Sequence, residues 1–538
     1  MADYSRLRSP FQNMSWTPDV PSNALGPNEY NSGLNVEADV RGIKKVSGEV
    51  AILTTIPGNI IFLDGGFRTT TDFVYIAATR EGKWYMVTTV ATVNITPGVG
   101  ANPNVVLAGY NDDLNITSSW VGSVFFINDT LGSPMYFTQV NTEIQRYDTA
   151  PDNYVWNYDV NVSATTAGFV RNYSSPNVGN ILVAGNLTKT YITPASTKNF
   201  PTTIRWSQAF ANTGVPATWL PILSNVANEQ EVPVRGPLID GFFLGANFYL
   251  CSYWDTVVMS PIAYQSSTTP VFGIRLLNQG RGLFNNNCWS NTDTNVYGVD
   301  SRDIWVFDGA NFQSLGNQKL RNYFFNNLNP TYSDRIFMVN NTQQYQIEIY
   351  YPDLTSTGWC NKMISWRYDL QVWNAPRDIV GACLACESPK VSGSSFKLAS
   401  RTVTYAKGST AGSRLIQVGI GNSFSGSPIP AKFERNNIAL QTADGPVPYS
   451  AKVYVHRVLP EVAGTGNLDI TVGGANSTAQ TPVYGQTGHV TIDTDNPWVT
   501  TQQNEVRTIS VKVESNDATD AWNLTALNWQ TLIVEDAF

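Results

Sequence analysis

The stretch FVYIAATREGKWYMV, residues 73–87, predicts a β-hairpin, because two runs of β-branched and aromatic residues flank a turn at Glu81-Gly82. The same pattern recurs in residues 242–253, 296–309, 336–351 and 364–373. Repeated hairpins that carry large aromatic residues are typical of radial blades, which bury those side chains against the next blade. The sequence therefore predicts an all-β fold. An irregular β-propeller over residues 61–435 is the first choice, and a multi-sheet sandwich is the second.

The pattern changes beyond residue 436. The runs YSAKVYVHRV (449–458) and VRTISVKV (506–513) alternate apolar and polar residues, and loops rich in Gly, Asn and Thr separate such runs. Strict alternation indicates strands with one buried face. Residues 436–538 are therefore predicted to form an additional β-sandwich-like platform module.

Residues 1–60 are predicted to be an N-terminal arm followed by a strand that joins the platform. The first forty residues are polar and contain four prolines, so they have too few apolar groups for a core of their own. The few strands after residue 436 would leave exposed sheet edges. We expect a strand from residues 42–56 to supply the missing pairing, with the propeller inserted between the two chain ends.

The composition argues against a protein that grips nucleic acid. Only 14% of the residues are charged, the net charge is −8 and the pI is about 5.0. Binding to phosphates needs clustered Lys and Arg, and the densest basic cluster is RGIKK at residues 41–45. A solvated turn explains a cluster of that size.

The sequence also predicts where the chain is made. Its first residues lack the apolar segment of a signal peptide, and no apolar run approaches the roughly 18 residues of a membrane span. Five cysteines leave one without a partner and form no disulfide framework. We therefore expect synthesis in a reducing cytoplasm and no membrane-spanning segment.

The sequence contains no catalytic constellation, so the chain is predicted not to be an enzyme. His456 lies in an alternating strand and His489 at the start of another, and a structural role in the strand explains them better than catalysis does. The CxxC motif at 383–386 lacks the second pair of ligands that zinc needs. The acidic groups at 111–113 and 493–496 lack the spacing of a calcium loop. No cofactor and no metal are expected.

The most specific signal is an ordered series of short motifs. In chain order these are VRGIKKVSG (40–48), RWS (205–207), WLP (219–221), DIWVFDG (303–309), YYP (350–352) and WRYDLQVW (366–373). This order resembles that of the tail nozzle proteins of short-tailed bacteriophages, also called tail tubular protein B or the tail hub. The resemblance covers residues 40–375.

Within these motifs the aromatic and turn residues are expected to be structural packing anchors rather than ligand contacts. The expected anchors are Arg205, Trp206, Ser207, Trp219, Trp305, Asp308, Gly309, Trp366 and Trp373. Large aromatic side chains contribute most to stability where neighbouring blades meet. The motifs do not indicate which residues line a channel.

The resemblance implies a homohexameric ring in the virion tail, below an adaptor ring and with tail fibres as a further partner. Such a ring would hold the packaged DNA and then conduct it during ejection. A basic tube would bind the phosphates of double-stranded DNA at many points. An acidic chain instead fits a lumen that makes non-adhesive contact with the duplex.

Two other functions stay open. A glycan-binding or glycan-cleaving propeller of the phage tailspike type would use the aromatic content, 12% of the residues, to stack sugars. A propeller scaffold for protein partners in the cytoplasm is the third. A six-fold ring with a central hole would favour the nozzle, and a monomer that binds polysaccharide would favour the glycan-binding protein.

Overall fold

The computed structural model is nearly all-β, with 57% strand and 3% helix, which confirms the predicted fold class. It describes residues 5–98, 109–110, 115–148, 154–175, 177–262, 271–408, 413–438, 440–442, 445–446, 451–478, 480–493, 498–501 and 505–534. Seven antiparallel four-stranded units can be traced within these residues, and we number them as blades 1 to 7 in chain order.

The blades have the following strands. Blade 1 contains Ile60–Phe67, Phe73–Thr79, Trp84–Val87 and Thr92–Asn94. Blade 2 contains Thr117–Val121, Val124–Asn128, Met135–Phe137 and Gln145–Arg146. Blade 3 contains Val162–Ser175, Gly179–Tyr191, Ser196–Trp206 and Asn228–Glu231. Blade 4 contains Leu238–Leu244, Asn247–Ser252, Asp255–Pro261 and Phe272–Gln279.

The remaining blades follow. Blade 5 contains Trp289–Asn291, Val296–Val299, Ile304–Phe307 and Phe312–Ser314. Blade 6 contains Phe337–Asn341, Gln346–Tyr351, Cys360–Arg367 and Val372–Trp373. Blade 7 contains Arg377–Ser392, Ser395–Lys407, Ser413–Val418 and, from the beginning of the chain, Glu49–Ile56. Blades 6 and 7 form one continuous eight-stranded sheet, since Met363 pairs with Arg377.

The blades surround a common axis. The first strands of successive blades contact one another, and the first strand of blade 7 contacts that of blade 1. Ser118 of blade 2 donates a hydrogen bond to Asp64 of blade 1, and Trp289 of blade 5 donates one to Asp240 of blade 4. Blades 1 to 6 then meander outward in chain order, and blade 7 does so except for its outermost strand. This arrangement is a β-propeller.

The ring is closed by a strand from the N-terminal side of the chain. Glu49–Ile56 pairs antiparallel with Ser413–Val418 and becomes the last strand of blade 7. The closing strand covers an edge of blade 7 that would otherwise leave its backbone groups unpaired. The two ends of the propeller therefore hold each other in one sheet.

The platform module is a β-sandwich of two sheets. The first sheet contains Val499–Thr500, Lys452–Thr465, Ala521–Val534, Ile43–Lys45, Val36–Ala38 and Ser5–Pro10. The second contains Ser32–Leu34, Ala431–Ile438, Thr508–Ser515, Asn467–Ala475 and Val483–Thr491. Buried side chains of both sheets, such as Val455, Leu524 and Val511, belong to one hydrophobic core.

The N-terminal arm runs between the platform and the propeller. Trp16 packs edge-to-face on Tyr323, with 4.7 Å between ring centroids, and the Asp19 carboxylate accepts hydrogen bonds from the backbone N–H groups of Asn322 and Tyr323. The arm therefore connects the modules by packing, although it has little regular structure. Its short strands Ser15–Trp16 and Glu29–Tyr30 pair in parallel, and Gln441–Thr442 pairs with Gly445–Pro446. The helical segments are Arg321–Asn327, Ser22–Ala24, Ser333–Arg335 and Thr342–Gln344.

The structure divides the segment 42–56 between the two modules. Ile43–Lys45 pairs with the last platform strand, where Asn523 lies opposite Lys44. Glu49–Ile56 instead belongs to blade 7. The chain crosses from platform to propeller between these strands and returns after Val418.

Candidate functional site at the propeller axis

The RWS and WLP motifs meet in blade 3. Trp206 is fully buried, and its indole N–H donates to the Val226 carbonyl at 2.6 Å. Its ring meets Phe272 of blade 4 edge-to-face at 5.7 Å. The buried Ser207 hydroxyl donates to the Gln208 carbonyl. Trp206 therefore joins blade 3 to blade 4.

Arg205 and Trp219 lie on either side of a third aromatic residue, Trp156. The Arg205 guanidinium lies over the Trp156 ring at 4.8 Å and pairs with Glu229 at 2.7 Å. Trp219 packs edge-to-face on Trp156 at 4.7 Å. Both Arg205 and Trp219 are buried, so this cluster has no exposed face for a ligand.

The motif residues of blade 5 divide into one buried ring and one exposed turn. Trp305 is fully buried, and its indole N–H donates to the Gly282 carbonyl at 3.2 Å. A Cβ at Gly298 would lie 2.2 Å from the Trp305 ring, so only glycine fits opposite this side chain. Asp308 is exposed and accepts hydrogen bonds from the backbone N–H groups of the following turn, where Gly309 has a φ of +94°. Asp308 and Gly309 thus form a turn, whereas Trp305 is packed.

Trp366 and Trp373 face each other in blade 6 at 5.2 Å. Trp373 is fully buried and donates to the Leu315 carbonyl of the segment after blade 5 at 3.0 Å. The predicted anchors therefore lie in blades 3, 5 and 6 and do not converge on one site.

The polar side chains that do converge lie at the propeller axis, and the sequence did not single them out. Arg171 of blade 3 forms a two-pronged ion pair with Asp240 of blade 4, at 2.8 and 2.6 Å. The same guanidinium donates to the Asn287 side chain before blade 5 and to the Ser118 carbonyl of blade 2, both at 2.8 Å. Ser118 in turn donates to Asp64 of blade 1 at 2.6 Å. This axial network links the first strands of blades 1 to 4 with Asn287 and, through the Trp289 indole on Asp240, with the first strand of blade 5.

Three consecutive asparagines fill the end of the propeller axis where Arg171 and Asp240 lie. Asn285 donates to the Asp334 carbonyl, Asn286 to the Gly168 carbonyl at 3.1 Å, and Asn287 to the Ile116 carbonyl at 3.2 Å. Their partners come from the segments before blades 6 and 2 and from the first strand of blade 3. The remaining cavity has a volume of about 40 Å³, which holds water but no larger ligand. Among the described residues, this end of the axis is therefore filled by side chains.

Burial sets the electrostatics of the axial network. Asp64 is surrounded by protein, and burial raises the pKa of its carboxyl above the ordinary 3.8 although Ser118, the Gly65 N–H and Arg171 favour the charged form. Because its pKa is higher in the folded state than in the unfolded state, protonated Asp64 stabilises the fold. This contribution is complete below pH 3.8 and is lost as the pH rises through the pKa of Asp64 in the folded protein.

Asp64→Asn is expected to flatten this part of the pH dependence, because an amide cannot ionise but can still accept from Ser118. The difference in free energy of unfolding between the variant and the wild type, measured in urea, should shift in favour of the variant as the pH rises from about 4 to 8. Asp72→Asn, at an exposed site in the same blade, is the matched control. Parallel curves for wild type and Asp64→Asn would contradict the assignment.

A second buried charge cluster lies where the closing strand meets blades 6 and 7. Glu49 pairs with Arg377 at 3.0 Å and accepts from the Tyr405 hydroxyl at 2.6 Å. Glu348 accepts from the Tyr350 hydroxyl at 2.6 Å. Burial raises the pKa of both glutamates above the ordinary value, in spite of these partners. The cluster fixes the closing strand against blades 6 and 7.

The other candidate groups of the sequence are dispersed. Cys383 donates to the Ala406 carbonyl at 3.3 Å, and burial holds the pKa of Cys386 well above the ordinary thiol value. His489 is exposed and contacts Asp469 at 2.5 Å. Residues 111–113 and 494–496 lie outside the described residues. Within the described segments, no group of His, Cys, Asp or Glu side chains is arranged to hold a metal ion, and no helix is long and apolar enough to cross a membrane.

The sheet order itself defines the chain as a β-propeller with a sandwich module. No protein-family model matches the sequence, and neither does any curated protein. Among solved structures, the chain is similar to the WD40 β-propeller domain of Doa1. The two share 8% sequence identity with a TM-score of 0.34, and the match covers 70% of this chain and 96% of that one.

Proposed function

We propose that this protein is the subunit of a ring-shaped tail nozzle in a short-tailed bacteriophage. Six copies form a homohexamer that retains the packaged DNA, conducts it during ejection and attaches to the tail adaptor ring. Tail fibres are a further partner, the mature location is the virion tail, and synthesis takes place in the host cytoplasm. The order of motifs from residue 205 to residue 373 supports this proposal.

One observation carries the proposal: the platform is built from both ends of the chain, and the propeller is inserted between them. Ser5–Pro10 and Ile43–Lys45 both pair with Ala521–Val534. A rigid module that is held by both chain ends is suited to carry contacts with neighbouring subunits and with an adaptor. The inserted propeller is then free to project from the ring.

The platform also has a sheet edge that suits subunit contact. Val483–Thr491 is nine residues long, lies at the end of the second sheet and contains no Lys, Arg, Asp, Glu or Pro. Natural proteins protect exposed edges with such residues, because an unprotected edge pairs with other chains. We assign this edge to a head-to-tail contact between neighbours, which closes into a ring when the rotation is cyclic.

The filled end of the propeller axis affects where DNA passes in this proposal. Since Asn285, Asn286 and Asn287 fill the end of each propeller, the conduit in this proposal lies between subunits, around the six-fold axis. Six chains with a net charge of −8 each give an acidic ring. Such a ring lacks the dense cationic surface that would hold phosphates, so the duplex can slide. The role requires no catalytic site, metal or cofactor.

The mass in solution and the affinity for DNA test this proposal together. Light scattering on the purified full-length protein is expected to give six copies of the 59.2 kDa chain, about 355 kDa. Filter binding should detect no stable complex with double-stranded DNA at about 0.15 M salt. A monomer, or a tight DNA complex that dissociates at high salt, would contradict the proposal.

A further inference from the structure

The cleft between the outer strands of blades 5 and 6 is an open cavity of about 380 Å³, within the range of small-ligand sites. One wall is formed by the last three strands of blade 5 and the turn between the last two. The other is formed by the end of the third strand of blade 6 and the turn that follows it. We call it the blade 5–6 cleft.

Aromatic side chains form the floor of the blade 5–6 cleft. Tyr297, Trp366 and Tyr368 line it, and Tyr345, which is 53% exposed, meets Tyr368 edge-to-face at 5.8 Å. The Tyr368 backbone N–H is fixed by the Tyr345 carbonyl at 3.0 Å. Tyr368 is partly exposed in the cleft and Tyr345 lies beside it, whereas Tyr297 and Trp366, at 5% and 8% exposure, form the packed base of the cleft.

The rim of the cleft carries side-chain amides without partners. Asn311, Gln313 and Gln371 are all exposed, and their amide groups make no hydrogen bond within the part of the chain that the structure describes. An amide offers both a donor and an acceptor, as a hydroxyl group does. The turn that carries Asn311 is preformed, because the Asp308 carboxylate accepts from the Ala310 and Asn311 backbone N–H groups at 2.8 and 2.7 Å.

A second cleft, between blades 2 and 3, shows that these features are not common to all blades. It has a similar volume, about 410 Å³, and is lined by Tyr136 and Tyr154. Its amides are already used, since Gln139 donates to the Arg68 carbonyl and Asn141 accepts from the Thr138 N–H at 3.2 Å. Of these two clefts, only the blade 5–6 cleft combines aromatic rings with unpartnered amides.

We propose that the blade 5–6 cleft binds a neutral oligosaccharide, with a sugar ring against the aromatic floor and its hydroxyl groups on the amide rim. The apolar face of a pyranose matches an aromatic surface, and its edge presents donors and acceptors together. No Lys or Arg lines the described cleft, and Asp308 would repel an acidic sugar or a phosphate. This inference is independent of the ring proposed above.

The cleft is suited to binding and not to cleavage. Glycosidases use two carboxyl groups, one of which must keep its proton at neutral pH. Asp308 is the one carboxylate among the described lining residues, and the backbone N–H groups of Asn311 and Ala310 lower its pKa. A bound saccharide should therefore be released unchanged.

The test is binding of the full-length protein to an array of neutral hexose and N-acetylhexosamine oligosaccharides, with calorimetry on the strongest binder. Tyr368→Ala is expected to lower the affinity at least about tenfold, and Asn311→Ala combined with Gln313→Ala should do the same. Tyr154→Ala, in the blade 2–3 cleft, is the matched control and should bind like the wild type. Tyr368→Phe keeps the ring and should bind within a few-fold of the wild type.

The double amide variant changes exposed side chains, so it keeps the test valid if Tyr368→Ala does not fold. Binding to no member of the array would overturn the proposal. Equal binding by the wild type and the double amide variant would also overturn it. Retention of a peptide in the cleft with no saccharide bound would assign the cleft to a protein partner instead.

Discussion

Trp206→Ala is expected to lower the free energy of unfolding by about 3–5 kcal/mol. The Trp206 side chain is fully buried between blades 3 and 4, so truncation leaves a large cavity against Phe272. It also removes the hydrogen bond to the Val226 carbonyl at 2.6 Å. Urea denaturation followed by far-UV circular dichroism measures the loss, and light scattering shows whether the variant still assembles.

Trp254→Ala is the matched control for Trp206→Ala. Trp254 lies in a turn of the neighbouring blade and is 40% exposed, so its removal should cost less than about 1 kcal/mol. If Trp206→Ala folds and assembles like the wild type but loses a binding activity, the residue is a ligand contact and the packing role is wrong.

Asp240→Ala is expected to destabilise the propeller by about 3–5 kcal/mol, because it leaves the buried Arg171 charge without its partner. Asp240 is fully buried, and it also accepts hydrogen bonds from the Trp289 indole at 2.9 Å and the Asn287 backbone N–H at 3.3 Å. The substitution therefore breaks the axial network at its centre. Urea denaturation with intrinsic tryptophan fluorescence measures the change.

An exposed ion pair provides the comparison for Asp240→Ala. Arg8 and Glu461 meet at 2.7 Å on the platform, with side chains that are 51% and 36% exposed. Arg8→Ala should cost about 0–1 kcal/mol, since solvent screens a surface pair. Equal losses for Arg8→Ala and Asp240→Ala would mean that the axial network is not essential to the propeller.

The parts of the fold that the sequence predicted are local. The hairpin at residues 73–87 is present as Phe73–Thr79 and Trp84–Val87, with Tyr85 opposite Ala77. A hairpin depends on two short runs of strand-forming residues and the turn between them, and all three lie within fifteen residues of the sequence. The all-β class follows from many such units, which is why the composition and the hairpins were sufficient.

The axial network could not be predicted because its partners are distant in the sequence. Arg171 and Asp240 are separated by 69 positions and lie in two different blades. A single charged residue within an apolar strand, as in GFVRNY and LIDGFF, does indicate a buried charge that needs a partner. It does not indicate which residue that partner is.

Two further features show the same limit. Asn285, Asn286 and Asn287 have the composition of a turn, yet their amides contact three separate carbonyls around the axis. The strands Ile43–Lys45 and Glu49–Ile56 are adjacent in the sequence, yet they belong to different modules. Tertiary contacts decide both outcomes, because strand pairing depends on distant partners and not on local propensity alone.

Negative-stain electron microscopy of the purified full-length protein tests the central claim most directly. The proposed function predicts class averages with six-fold symmetry and a central hole wide enough for a DNA duplex. The platform modules should form the continuous inner contact, and the propellers should project from it as separate densities. Class averages that show only isolated two-lobed monomers, with no ring, would contradict the claim.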